Sequence, residues 1–233
     1  MRVSNIKKDT QKMVESPKLT IGYWKIRGLI SPVKYILEYL EVPYTSVDYE
    51  QGDGPEFSRD SWLKVKPTMD LDFPNLPYLF DGDVKITESS AMLRYIANKY
   101  GKEGFSGKNP KDKATVDMIF GVVSDIKSAF GPPMYYTGDK NAIIEISKRM
   151  ELVSKFLTGK SFVAGDYITW VDFFVFEQIE AFAWITEGEF LTRYPVLAEY
   201  HKRIAALPNF AEYYKSDKFV SRPFNNKIAK LNN

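Results

Sequence analysis

Few residue types in this chain can perform covalent chemistry. It contains no cysteine and one histidine, His201, among 233 residues. The lack of cysteine excludes disulfides, cysteine–zinc sites, iron–sulfur clusters and any mechanism with a protein thiol as nucleophile. A single histidine excludes a multi-histidine metal site, and any Ser-His-Asp triad must use His201. Chemistry here therefore depends on tyrosine, carboxylate, lysine or arginine side chains, on backbone groups, or on a reagent supplied from outside the chain.

Charge and composition argue against further classes of function. Lys and Arg number 32 and Asp and Glu 30, so the net charge is only +2, which disfavours a broad electrostatic nucleic-acid binder. Hydrophobic residues make up 44% of the chain, yet no stretch has the length of apolar residues that spans a membrane. We therefore expect no nucleic-acid partner and no membrane partner.

The first 18 residues differ from the rest of the chain. They carry five cations and two carboxylates, a net charge of +3, and they lack the apolar run of a signal peptide. We expect a flexible N-terminal extension over residues 1–18 with no assigned role. Together with the absence of cysteine, this pattern favours a reducing, cytoplasmic location.

The chain after this extension begins with a strand, a helix and a second strand. Residues 19–25 are aromatic and β-branched, which indicates a buried strand. Ser31 and Pro32 then supply a helix N-cap and a proline at the first helical position. Residues 44–49 have the pattern of a second strand, so the three elements predict a βαβ unit with parallel strands.

A hairpin and a third helix complete this first unit. Two prolines precede a strand, Asp81-Gly82-Asp83 predicts a tight turn, and the next four residues return as a second strand. The turn is too short for a calcium loop. Residues 88–99 repeat apolar side chains at helical spacing and end near Gly101, a common helix stop. The predicted order is βαβ-ββα.

The second half of the chain is helical in pattern. Residues 101–109 have the composition of a linker, and amphipathic stretches follow at 111–130, 140–158, 170–185, 195–206 and 209–216. Thr169 and Asp172 have the spacing of a capping box. A catalytic acid is the other role open to Asp172, and the cap is favoured. The predicted fold class is α/β plus all-α, with the boundary near residue 105.

Several sequence strings resemble one family together. They are GYWKIRGL at 22–29, YEQGDGPEFSRDSWL at 49–63, LDFPNLPYLFDGD at 71–83 and KITESSAMLRYIA at 85–97. They resemble the cytosolic glutathione S-transferases, specifically the mu class, and a looser resemblance continues to RPF at 222–224. The resemblance implies a thioredoxin-like glutathione-binding domain over 19–100 and an all-helical domain over 110–233, assembled as a homodimer. It also implies glutathione as cosubstrate, hydrophobic electrophiles as substrates, and no metal or redox cofactor.

The resemblance gives Tyr23 the central role. Tyr23 lies at the end of the first predicted strand, and in the family this hydroxyl donates to the glutathione sulfur and favours the thiolate. A pKa lowered from about 8.5 by about two units raises the thiolate fraction at pH 7 roughly 25-fold. The less basic thiolate is also roughly 8-fold less nucleophilic. The lowered pKa therefore increases the reaction rate at pH 7 only about threefold. Most of the acceleration must then come from holding the two reactants together.

The resemblance implies that a further set of groups holds the tripeptide. Cationic and indole N–H donors suit the glycyl carboxylate. Backbone groups beside a proline expected to be cis suit the cysteinyl part, and a helix N-terminus suits the γ-glutamyl carboxylate. The matching positions are Trp24, Leu29, Arg59, Trp62, Lys66, Asn75, Leu76, Pro77, Glu88 and Ser89, with Asp125 reaching across the dimer interface.

The resemblance also indicates the electrophile pocket and the dimer contacts. Tyr135 matches a second tyrosine that donates to the electrophile, although the neighbouring Tyr136 leaves the assignment open by one residue. Ile26, Leu29 and Phe224 are candidates for the pocket wall, and a plain core position is an equal alternative for each. Phe73 matches an aromatic residue that inserts into the partner subunit, and Arg94 matches an arginine at the two-fold axis.

Three departures from the mu pattern bear on substrate preference. Glu88 stands where mu enzymes usually have Gln, and Pro67 replaces an aromatic residue. Residues 131–133 are Gly-Pro-Pro, which must distort the helical segment before Tyr135.

Two other functions remain open from the sequence. One is a non-catalytic carrier of hydrophobic ligands, or a structural protein, on the same scaffold. The other is a different glutathione-dependent reaction, an isomerisation or a peroxide reduction, at the same site.

Overall fold

The computed structural model describes residues 19–232, so the predicted extension over 1–18 lies outside the described residues. Both strands and helices occur up to residue 100, and the regular elements after it are all helices. The strands are β1 Leu19–Trp24, β2 Tyr44–Tyr49, β3 Tyr78–Asp81 and β4 Val84–Thr87. The helices are α1 Ser31–Tyr39, α2 Asp60–Leu63, α3 Ser89–Tyr100, α4 Pro110–Pro132, α5 Lys140–Ser147, α6 Met150–Leu157, α7 Trp170–Ile185, α8 Glu189–Arg193, α9 Pro195–Ala205 and α10 Pro208–Tyr214.

The four strands form one mixed sheet in the order β2-β1-β3-β4. β1 runs parallel to β2 and antiparallel to β3, and β3 pairs with β4 as a hairpin. Gly22 is required in the centre of β1, because a Cβ there would lie 2.1 Å from the ring of Tyr78. The predicted βαβ-ββα order and the α/β plus all-α fold class are both confirmed.

The start of α1 differs from the prediction. Ser31 is the first residue of the helix, and Ile30 occupies the N-cap without a side-chain cap. The Ser31 hydroxyl instead donates to the carbonyl of Arg27, 3.1 Å away. The predicted N-cap role of Ser31 is therefore wrong, because its hydroxyl bonds backward to the preceding turn instead of forward into the helix.

The helical half also departs from the predicted pattern. The single helix predicted over 140–158 is two helices, α5 and α6, and the short α8 was not predicted. α4 continues through Pro132 and then widens into a π-helical turn, Pro133–Thr137. The N–H of Gly138 donates to the carbonyl of Pro133 at 2.8 Å, a bond that spans five residues. Two successive prolines lack the N–H groups of an ordinary α-helical ladder, which accounts for the distortion.

Helix α7 is the centre of the helical half, and almost all of its side chains are buried. Its capping box is present, as predicted from Thr169 and Asp172. The Asp172 carboxylate accepts from the Thr169 N–H and hydroxyl, the Val163 N–H and the Tyr200 hydroxyl, all within 2.8 Å. Asp172 is thus held as a structural group within the core.

The segment between α3 and α4 connects the two halves by packing as well as by chain continuity. Phe105 is buried there, and its carbonyl accepts from the N–H of Trp170 at the start of α7.

Between residues 19 and 232, no helix is long and apolar enough to cross a membrane.

Candidate active site

Tyr23 is the last residue but one of β1, just before the turn that leads to α1. Its side chain is 7% exposed, and its hydroxyl lies against Gly28, where an added Cβ would be 2.7 Å from the phenol oxygen. Burial raises the pKa of Tyr23 above its ordinary value, the Leu29 N–H that bonds the hydroxyl opposes this, and nearby Tyr135 adds to it. The phenol therefore keeps its proton at neutral pH and can donate it to a hydrogen bond.

Tyr135 approaches Tyr23 from the helical half. It lies on the π-helical turn after α4, and its half-buried hydroxyl accepts from the N–H of Asn226 at 3.4 Å. Burial raises the pKa of Tyr135 as well, so both phenols are neutral donors. The adjacent Tyr136 is 78% exposed. The geometry therefore favours Tyr135 over Tyr136 as the tyrosine that faces Tyr23.

The C-terminal tail runs beside the turn that holds Tyr23. The N–H of Arg27 donates to Pro223 and the N–H of Gly28 to Phe224, at 2.9 and 3.0 Å. Phe224 is buried and stacks on Trp184 of α7, with ring centroids 4.8 Å apart. The tail thus forms one wall of the region between the two halves.

The residues predicted for the electrophile pocket are not equally exposed. Ile26 and Phe224 are buried, whereas the side chain of Leu29 is 37% exposed. The Leu29 backbone N–H bonds the Tyr23 hydroxyl.

The two predicted tryptophans belong to one aromatic cluster at the carboxyl end of β1 and β2. Trp24 packs edge-on against Tyr49, and Tyr49 packs edge-on against Trp62, with centroids 6.5 and 5.3 Å apart. Trp62 stacks in turn on Tyr78 of β3. Trp62 is held between two aromatic neighbours and Trp24 packs against one, so both indoles lie beside the sheet.

The predicted cations lie near Trp62 in sequence. Arg59 is exposed immediately before α2, and Lys66 is half-buried at the start of a short 3-10 turn, Lys66–Thr68. Within residues 19–232, neither side chain forms an ion pair. Both cations can therefore meet an anionic ligand without breaking an existing pair.

The loop before β3 and the start of α3 supply backbone groups. The Leu76–Pro77 bond is cis, as expected, and both residues are buried next to exposed Asn75. Ser89 is the first residue of α3, and exposed Glu88 precedes it with φ of 70°. The first N–H groups of a helix have no intrahelical acceptor and carry a partial positive charge. This end of α3 can therefore receive a carboxylate.

Of the residues predicted for the dimer interface, two are exposed and one is hydrogen-bonded within its own chain. Phe73 is 79% exposed, and Asp125 lies on an exposed face of α4 that also carries Met118 and Val122. Arg94 bonds Asp117 of α4 at 2.8 Å. The contacts of Arg94 thus join the two halves of a single chain.

A cavity of about 390 Å³ lies between the ends of β1 and β2 and the C-terminal tail. Its lining includes Ile26, Tyr49, Phe219, Arg222 and Asn226. Ile26 is the one predicted site residue that it shares, and Asn226 is the residue whose N–H bonds Tyr135. The cavity is therefore adjacent to Tyr135.

One ion pair and one hydrogen bond connect the loop after β2 to the tail beside this cavity. Lys227 pairs with Asp53 at 2.5 Å, and the N–H of Ile228 donates to Gln51 at 3.3 Å.

Two residues of the region were missed as functional positions, and the environment of a third residue was not predicted. Arg27 and Gly28 are part of the GYWKIRGL string, but no role was assigned to either from sequence. Lys127 of α4 has its amine beneath the Phe174 ring, 5.6 Å from the centroid, and burial lowers the pKa of Lys127 to about 8. No sequence signal marks Lys127, because it is one of many lysines on amphipathic helices. In the part of the chain that the structure describes, no group of three or more potential metal ligands occurs.

The architecture places the chain among two-domain proteins that join a thioredoxin-like sheet to a helical bundle, and comparison with known proteins specifies the family. The profile described as "Glutathione S-transferase, N-terminal domain" matches residues 19–98, and the corresponding C-terminal profile matches residues 124–217. "Glutathione S-transferase Mu 2" of Mus musculus is 35% identical over 215 residues, covering 91% of this chain and 97% of that protein. "Glutathione S-transferase Mu 3" of Homo sapiens is 36% identical over 220 residues, covering 92% and 96%.

The solved structures agree with these relatives. The crystal structure of the glutathione S-transferase Blo t 8 superimposes with a TM-score of 0.82 at 28% identity, covering 92% of this chain and all of that one. The chain belongs to the glutathione S-transferase family. The mu-class resemblance of its motifs is confirmed, and so is the expectation of a transferase enzyme.

Proposed function

We propose that this chain conjugates the thiolate of reduced glutathione to hydrophobic electrophiles, with the Tyr23 hydroxyl as hydrogen-bond donor to the sulfur. The observation that carries the proposal is the neutral phenol of Tyr23, buried at the end of β1 and bonded by the Leu29 N–H. A donor aimed at a developing thiolate stabilises the charged form and lowers the thiol pKa. The chain has no thiol of its own, so the nucleophile is the cosubstrate.

The tripeptide extends from Tyr23 along the carboxyl ends of the strands in this proposal. The glycyl carboxylate is held by Trp24, Trp62, Arg59 and Lys66. Within residues 19–232 neither Arg59 nor Lys66 forms an ion pair, which supports this assignment. Leu76, Pro77 and Asn75 present backbone and amide groups to the cysteinyl part. Glu88 and Ser89 take the γ-glutamyl end, which the free N–H groups at the start of α3 support. Residues 19–100 then form the glutathione-binding domain, followed by a linker over 101–109.

The electrophile lies on the other side of the sulfur, against the helical domain of residues 110–233. Tyr135 donates to it, and its proximity to Tyr23 supports this assignment. Ile26, Leu29 and Phe224 form the apolar wall. The cavity beside Ile26 offers room for a substituent of the electrophile.

We further propose that two copies of the chain form a homodimer in the cytoplasm. The exposed aromatic ring of Phe73 and the exposed apolar side chains of Met118 and Val122 support an interface. Asp125 on the same face of α4 would then reach the γ-glutamyl ammonium in the partner, and Arg94 would lie near the two-fold axis.

The test is glutathione binding by calorimetry together with conjugation to 1-chloro-2,4-dinitrobenzene by the purified full chain. Tyr23→Phe is compared with Tyr136→Phe, a matched removal of an exposed hydroxyl. Turnover at pH 6.5 that falls in Tyr23→Phe alone, with glutathione binding retained, is the expected result. Tight binding without turnover would redirect the proposal to isomerase or peroxidase substrates. Neither binding nor turnover would refute it and favour the carrier.

A further inference from the structure

Arg27 is the most completely buried charged residue near Tyr23. It lies four residues after Tyr23, in the turn between β1 and α1, and its exposure is 0%. Glu177 of α7 binds its guanidinium through both oxygens, at 3.2 Å from Nε and 2.5 Å from Nη2. Glu180, one turn further along α7, binds Nη1 at 3.2 Å. The two acids hold the planar guanidinium in one orientation.

The guanidinium also contacts two other segments of the chain. Nη2 donates to the Tyr35 hydroxyl of α1 at 2.8 Å, and that hydroxyl donates to Glu177 at 2.6 Å. The ring of Phe224 lies 4.2 Å from the guanidinium carbon, and the ring of Phe219 lies 5.2 Å from it. Arg27 therefore links the first domain, α7 and the C-terminal tail at a single point.

The same turn carries the backbone that surrounds the Tyr23 hydroxyl. The N–H of Arg27 bonds Pro223, Gly28 lies against the phenol, and the Leu29 N–H bonds the phenol oxygen. Whatever fixes Arg27 therefore fixes the next two residues against Tyr23. Buried ion pairs often add little net stability compared with a hydrophobic contact, so a charged cluster here calls for a geometric reason.

We propose that Arg27 is a positioning residue for thiolate formation. Its guanidinium, held by Glu177, Glu180 and Tyr35, fixes the turn so that the Tyr23 hydroxyl and the Leu29 N–H keep their geometry toward the sulfur. This inference rests on the proposed function, because it assigns Arg27 a part in the same step. Displacement of a reacting group by about 1 Å can cost on the order of 100-fold in rate.

The test uses a matched pair of buried tyrosines. Tyr35 and Tyr200 are each 1% exposed, and each donates a 2.6 Å hydrogen bond to a buried carboxylate, Glu177 and Asp172 respectively. Tyr35→Phe loosens the cluster around Arg27 and keeps its three charged groups, whereas Tyr200→Phe perturbs the core at the capping box. Arg27→Lys is the direct variant, because lysine keeps the charge without the planar fork.

The measurement is the pKa of glutathione bound to each variant, from the ultraviolet absorbance of the thiolate and from the pH profile of kcat/KM. We expect Arg27→Lys and Tyr35→Phe to raise this pKa by about one unit, a tenfold change in the ionisation equilibrium. We expect Tyr200→Phe to lower the free energy of unfolding and leave the thiol pKa as in wild type.

Two results would overturn the inference while the proposed function stands. One is a wild-type thiol pKa in a folded, glutathione-binding Tyr35→Phe variant. The other is an equal shift in Tyr35→Phe and Tyr200→Phe, which would reduce the cluster to a structural role. If Arg27→Lys does not fold, the thiol pKa in Tyr35→Phe alone decides between a positioning role and a structural role. A wild-type protein that neither binds nor conjugates glutathione would refute the proposed function itself, and the positioning role with it.

Discussion

Replacing Tyr23 with phenylalanine isolates one hydroxyl in a site that otherwise keeps its shape. The ring is 7% exposed, and phenylalanine fills the same space, so packing around the turn is preserved. What is lost is the proposed donor to the sulfur and the acceptor for the Leu29 N–H. The variant therefore reports the hydrogen bond and little else.

The expected magnitude follows from the charge on the sulfur. A hydrogen bond to a charged group contributes about 1.5–3 kcal/mol, which corresponds to a thiol pKa higher by about one to two units. With a shift of two units from about 6.5 to about 8.5, the thiolate fraction at pH 6.5 falls roughly 50-fold. The more basic thiolate is roughly 8-fold more nucleophilic, so conjugation at that pH slows only about sixfold.

The same numbers predict that the two pH profiles cross. Above about pH 9.5 both thiols are ionised, and the more basic thiolate of the variant reacts faster by up to about 8-fold. The crossing falls between about pH 7 and 8 for a two-unit shift. The assay is kcat/KM for 1-chloro-2,4-dinitrobenzene across this range, with the thiolate absorbance of bound glutathione as an independent record.

Two outcomes would contradict this reasoning in different ways. A thiol pKa unchanged in Tyr23→Phe would show that Tyr23 does not stabilise the thiolate. A raised pKa with a uniform loss of rate at every pH would show that the hydroxyl also acts in the transition state, beyond its effect on ionisation. Tyr136→Phe, which removes an exposed hydroxyl, should leave both profiles unchanged.

Three further perturbations have defined outcomes. Asp172→Ala removes the acceptor of four buried hydrogen bonds, so the free energy of unfolding in urea should fall by about 3–5 kcal/mol; a loss below about 1 kcal/mol would contradict the structural role. Lys127→Met should stabilise the protein at neutral pH. Burial lowers the pKa of Lys127 in the folded state to about 8, so the charged amine destabilises the fold below pH 8, by up to about 3 kcal/mol, and this penalty disappears as pH rises to about 10.5. The advantage of Lys127→Met should therefore vanish at high pH, and a constant advantage would refute the assignment. Phe73→Glu should give a monomer by light scattering at concentrations where wild type is a dimer, and an unchanged mass would exclude Phe73 from the interface.

Local patterns were sufficient for most elements of the fold. The β-branched run at β1, the glycine turn between β3 and β4 and the capping box of α7 depend on nearest neighbours, and each was predicted correctly. The same patterns failed where neighbours compete. The break between α5 and α6 has no glycine or proline to mark it, and Ser31, which has the pattern of an N-cap, bonds Arg27 instead.

The sequence by itself determined the order of strands and helices, the family and the residue types available for chemistry, because these depend on composition, periodicity and contiguous motifs. Only the tertiary structure distinguished Tyr135 from Tyr136, because on the π-helical turn after two prolines Tyr135 is half-buried near Tyr23 and Tyr136 is exposed. It also decided the environment of Arg27, whose partners Glu177 and Glu180 lie 150 and 153 positions away along the chain. Such contacts arise when two domains pack against each other, and no local pattern specifies which charge on one surface meets which charge on the other.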